Sequence, residues 1–244
     1  MKLVQNKWLL TAALALVLVV TILPACSKSD TVTVTGANAT VTVTATGDVQ
    51  PTEANPVVFD PAKQELRLAA KVNGVAFTQP TWHAVVYTGG KAAGAALFQA
   101  FITPDQFYAF LTYFGGIPGN NMPAPTDNYN DTYVKGSNVS ISVTWAGAAK
   151  TYALNDVVKN PATKAIQMKF GGNLAVNQGA GTGCIACFYS CPIGIVSNAS
   201  YNGTDLKGQS TAGFLGNSTI LPKDGSIVVL TFKVTAEPPF FSVK

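Results

Sequence analysis

Val139-Ser-Ile-Ser-Val-Thr-Trp145 alternates apolar and polar residues without a break. A period of two is the signature of a strand with one buried face, so Val139, Ile141, Val143 and Trp145 share a side. Runs of the same kind recur along the chain. Glu65-Leu-Arg-Leu-Ala-Ala-Lys-Val72 precedes Asn73-Gly74, a turn signal that predicts a hairpin into Val75-Ala-Phe77. Trp82–Tyr87, Ala95–Ile102, Ala165–Phe170 and Ser226–Val234 complete the main set of expected strands.

One helix is well signalled. Thr103-Pro104-Asp105-Gln106 has the form of a capping box with proline at the first helical position. Phe107, Phe110, Leu111 and Phe114 follow at helical spacing, and Gly115-Gly116 supplies the stop. A second short helix is expected over Asn155–Lys159, before Pro161. Strands and helices do not alternate regularly. The pattern therefore predicts an α+β fold: a mostly antiparallel sheet with one or two short helices packed on it.

The N-terminus carries an address. Lys2 and Lys7 flank the start of an apolar stretch from Trp8 to Ile22, followed by Leu23-Pro24-Ala25-Cys26. These are the parts of a secretory signal, and the apolar stretch is shorter than the ~20 residues of a spanning helix. Leu-Pro-Ala-Cys resembles the lipobox of bacterial lipoproteins. That resemblance implies cleavage after Ala25, lipid on Cys26, and anchoring to a membrane of the cell envelope outside the cytoplasm. The signal contains no Arg, so it is not a twin-arginine signal. The expected organisation is a lipoprotein signal over 1–25, a Thr/Val-rich tether over 26–54 and one globular domain over 55–244. Thr31–Gly47 also reads as a hairpin turning at Gly36–Asn38, but a lone two-stranded hairpin is marginal in water, which favours the tether.

Composition excludes some functions. Charged residues make up 11% of the chain and Arg67 is the sole arginine, so no basic stripe supports nucleic-acid binding. A single histidine rules out H-E-x-x-H; no G-x-S-x-G elbow or P-loop is present, and the carboxylates are scattered. No catalytic residue can be named. Asp127-Asn-Tyr-Asn-Asp131 sits in a long loop but departs from the calcium-loop pattern, because Tyr129 occupies a ligand position and no Glu closes it.

The chemistry concentrates in Cys184-Ile-Ala-Cys187-Phe-Tyr-Ser-Cys191-Pro192. Three thiolates in a C-x2-C-x3-C-P run suit a soft metal, a cluster or a thiol–disulfide couple. Gly179, Gly181 and Gly183 precede it and leave room for backbone N–H groups to face sulfur. His83 is the leading fourth ligand, giving a candidate set of Cys184, Cys187, Cys191 and His83 for a single metal ion or an iron–sulfur cluster. A redox partner protein would then be expected. The alternative is a structural or binding lipoprotein in which Cys191 forms a disulfide with Cys184 or Cys187 and no metal is bound. An enzyme that exchanges thiols and disulfides is a third possibility, though no helix start follows Cys184 to activate it.

The run resembles the last three positions of the bacterial ferredoxin motif, with Gly181 where its first cysteine stands. More widely, the chain from Asn55 to Val234 resembles the YdjY family of uncharacterised ferredoxin-like bacterial proteins. The resemblance is carried by Ala70-Lys-Val-Asn-Gly74, Thr81-Trp-His83, Gly89-Gly-Lys91, Phe170-Gly-Gly-Asn173, Gly183-Cys-Ile-Ala-Cys187, Ser190-Cys-Pro192 and Ser197-Asn-Ala-Ser200. It implies an iron–sulfur label and brings no established activity.

Overall fold

The computed structural model describes residues 30–35, 40–45, 49–127, 130–160, 164–207 and 213–235. The signal, Cys26 and part of the Asp127–Asp131 loop lie outside the described residues. Among those described, no helix is long and apolar enough to cross a membrane.

Eight strands form a closed barrel. In order around the wall they are Met168–Phe170, Val196–Asn198, Cys184–Cys187, His83–Tyr87, Phe98–Ala100, Glu65–Val72, Ile227–Thr235 and Asn138–Thr144. The last returns to the first through Lys169 opposite Asn138. Two neighbouring pairs run parallel, Cys184–Cys187 with Val196–Asn198 and His83–Tyr87 with Phe98–Ala100; the other pairs are antiparallel. Val57–Asp60 extends the wall beside Glu65–Val72, and Tyr152–Ala153 beside Asn138–Thr144. Asp30–Thr35 and Thr40–Ala45 pair antiparallel in a sheet of their own.

Alternation fills the interior. Leu66, Leu68, Ala70 and Val72 face it from one strand, Val228, Leu230, Phe232 and Val234 from the next, and Val139, Ile141 and Val143 from the third. An eight-stranded barrel is just wide enough for such side chains to pack it solid. The helix Pro104–Tyr113 joins the same core, with Phe107 edge-on to Phe232 at 4.8 Å and Phe110 at 5.3 Å from Phe59. Its capping box is formed: Gln106 N–H donates to Thr103 Oγ1 at 3.3 Å, and Thr103 N–H donates to Gln106 Oε1 at 3.0 Å.

The α+β sheet with packed helices is therefore corrected to a mostly-β closed barrel with a few short helices. Alternation identifies strands but not their partners, and closure removes the sheet edges that an open sheet would leave. Three local expectations also change. Asn73-Gly74 makes no hairpin turn: Val75 N–H donates to Asn73 Oδ1 at 3.2 Å, starting the 3-10 turn Gly74–Phe77. Asn73 instead spends its amide on the carbonyls of Gly94 and Ala96, at 2.9 and 2.8 Å. Asn155–Lys159 is a turn running into a strand, Val158–Lys159, that pairs with Leu215–Gly216. The Ala95–Ile102 strand is reduced to Phe98–Ala100.

Candidate metal centre

The Cys184–Cys187 strand lies antiparallel to His83–Tyr87, with Cys187 opposite His83 and Cys184 opposite Val86. In a regular strand, residues three apart point to opposite faces. Here the pairing shifts register twice, between Cys184 and Ala186 and again between Ala186 and Cys187. Bulges of this kind re-aim side chains. Ile185 and Ala186 consequently point into the main core, while Cys184 and Cys187 both enter a second, smaller apolar cluster with Cys191, Val86, Ala93 and Ala96. All three cysteines are buried, and none is in a disulfide. The alternative reading, a disulfide between Cys191 and Cys184 or Cys187, is thus corrected.

The His83 Nδ1 and Cys184 Sγ atoms are 3.3 Å apart. Ligand atoms of His83, Cys184 and Cys187 all lie within 4.8 Å of one another. Tetrahedral zinc, with bonds of ~2.3 Å to sulfur and ~2.0 Å to nitrogen, separates ligand atoms by roughly 3.5–3.8 Å. The group can therefore hold a single ion with shifts of well under the length of a bond. Cys191 is outside this group but packed in the same cluster.

The charges in this pocket suit a cation. The neighbouring Cys187 thiol and the His83 ring lower Cys184 to about 5 against the cost of burial, which favours its thiolate. The hydrogen bond to Cys184 raises His83 above its ordinary value, overcoming a partial burial that works the other way. Cys187 is pushed well above the usual thiol range by its hydrogen bonds to Cys184 and Cys191 and by full burial, and it keeps its proton. Cys191 is lowered to about 7 by Cys187, with a further contribution from the Ile193 N–H, which donates to its sulfur at 3.5 Å. A bound metal ion would have to displace the proton that Cys187 keeps.

Glycines shape the pocket differently from the sequence reading. A Cβ on Gly90 would stand 2.3 Å from the Thr182 carbonyl oxygen and 2.7 Å from the Gly183 Cα. These glycines let two backbones touch, tied by Ala92 N–H donating to Thr182 O at 3.1 Å, rather than aiming N–H groups at sulfur. Gly194 has the analogous role beside sulfur: its added Cβ would meet Cys187 Sγ at 2.9 Å. Beneath the pocket, buried Asn177 donates to the carbonyls of Cys184 and Ile193, both at 2.7 Å. No motif in the sequence marks Asn177 or Gly194. A cluster needs four ligands, usually thiolates, arranged around several irons. The assembled group offers one imidazole and two thiolates, so it supports a single ion and not an iron–sulfur cluster.

A family model described as the YdjY domain matches residues 57–233. The uncharacterised protein YdjY of Escherichia coli (strain K12) is 37% identical over 183 residues, covering 75% of this chain and 80% of that protein. No solved structure matches the chain. The chain thus belongs to the YdjY family.

Proposed function

We propose that this YdjY-family chain is a lipid-anchored, extracytoplasmic protein that binds one thiophilic divalent ion. His83, Cys184 and Cys187 are its ligands, with Cys191 packed beside them in the same cluster. The observation that carries the reading is the convergence of three ligand atoms within 4.8 Å, from two buried cysteines and a half-buried histidine. A buried thiolate beside a histidine is costly to maintain for packing alone, and a soft divalent ion would satisfy both. Anchoring through Cys26 follows from the lipobox-like sequence and would place metal loading outside the cytoplasm.

The test is a competition titration of the reduced full chain with zinc against a chromophoric chelator. One zinc per chain, abolished by Cys184→Ser and by Cys187→Ser, supports the reading. Zinc uptake unchanged in both variants overturns it. Acyl labelling of Cys26→Ser tests the anchor separately: labelling should vanish, and persistence would contradict lipidation at Cys26.

A further inference from the structure

Cys184, Cys187 and Cys191 all lie within Cys184–Ile193, a segment that leaves the barrel wall after Cys187 and precedes the next wall strand, Val196–Asn198. The two ends of this segment are held by one side chain. Asn177 sits in the short helix Leu174–Ala180 and is 2% exposed. Its Nδ2 donates to Cys184 O and to Ile193 O, both at 2.7 Å. Both acceptors belong to residues that set a sulfur. Cys184 presents its own Sγ to His83 at 3.3 Å, and the Ile193 N–H donates to Cys191 Sγ at 3.5 Å. The helix carrying Asn177 is itself fixed between two left-handed residues, Asn173 at φ 44° and Gly181 at φ 62°.

We infer that Asn177 is a positioning residue of the metal centre, a clasp that closes the cysteine segment and presets the separation of its sulfurs. The inference rests on the single-ion reading above. A loop that must be ordered by the metal binds it less tightly than one already closed. Groups that orient ligands from outside the coordination sphere typically contribute ~10–100-fold to metal affinity. Asn177→Ala leaves a buried carbonyl at Cys184 and a part-buried one at Ile193 without their donor, and the segment then opens to hydrate them.

The experiment compares the full-length wild type with Asn177→Ala, Asn177→Leu and Asn155→Ala. Zinc affinity is read by chelator competition, and cobalt(II) spectra report the ligand geometry. Asn155 is the control for a merely structural loss. It too exchanges two side-chain hydrogen bonds with a loop backbone, at Ile166, outside the Cys184–Ile193 segment. The Asn177 variants should bind zinc about 10–100-fold more weakly and shift the cobalt bands, while Asn155→Ala lowers the melting temperature at unchanged zinc affinity. If Asn177→Ala does not fold, Asn177→Leu, which conserves volume, gives the same readout. Wild-type affinity and cobalt bands in a folded Asn177 variant overturn the inference alone. A wild-type chain that binds no zinc overturns the single-ion reading and the inference with it.

Discussion

Gly194→Ala isolates the link between packing and the sulfur site. The added methyl would lie 2.6 Å from Ser197 Oγ, 2.8 Å from Val196 O and 2.9 Å from Cys187 Sγ, where ordinary contact is 3.4–4 Å. Two of these neighbours are tied. Val196 pairs with Phe170 on one side and Ala186 on the other, and Ser197 Oγ donates to Cys191 O at 3.3 Å. The adjustment therefore falls on the Gly194 backbone and on Cys187 Sγ, which must move by about 0.5 Å, a displacement at the tolerance of a working site. Overpacking of this kind costs about 1–3 kcal/mol, which lowers the melting temperature by roughly 2–12 °C for a domain of this size. Zinc affinity should fall about tenfold or more, because one ligand is displaced. Gly179→Ala is the matched control: an added Cβ there meets nothing within 4 Å, and the residue lies in the Leu174–Ala180 helix. It should be neutral or gain up to about 1 kcal/mol. Differential scanning calorimetry and zinc competition read both quantities. The reasoning is refuted if Gly194→Ala matches Gly179→Ala in melting temperature and in zinc affinity.

Cys184→Ser, Cys187→Ser and His83→Ala should each reduce zinc affinity by at least about 100-fold, whereas Cys191→Ser, lying outside the three-residue group, should cost less. Equal losses at all four positions by chelator competition would count against that ranking. Zinc binding should strengthen as pH rises from 6 to 8. The ion displaces the proton from Cys187, held above the usual thiol range, and competes with protonation of His83, also raised, while Cys184 is lowered to about 5. Titration in weak buffer should show acid released on zinc addition; proton uptake would reverse the assignment. Phe59→Ala empties a fully buried site stacked on Phe114 at 4.8 Å and edge-on to Tyr113 at 4.9 Å, and should cost about 3–5 kcal/mol in urea denaturation. A loss below ~1 kcal/mol would show that the cluster is not packed as described.

Local signals were readable in the sequence where local physics determines them. The capping box at Thr103 and the alternation from Val139 to Val143 each correspond to an element, because caps and strand faces depend on neighbouring residues. Barrel closure was not readable. It depends on Lys169 meeting Asn138, a contact that no periodicity encodes, and on short strands such as Val196–Asn198 that look like loop. Asn73-Gly74 misled because the Asn73 side chain found longer-range partners than a hairpin turn offers. At the site, cysteine spacing and a lone histidine marked the ligand types. What brings Cys184 and Cys187 to one face is a pair of register shifts, and a strand read at period two places them on opposite faces.

X-ray absorption at the zinc edge of the loaded full chain addresses the central claim most directly. One zinc per chain should show two or three sulfur neighbours at ~2.3 Å and one nitrogen at ~2.0 Å. A first shell of oxygen and nitrogen alone, or a chain that retains no zinc, would contradict it.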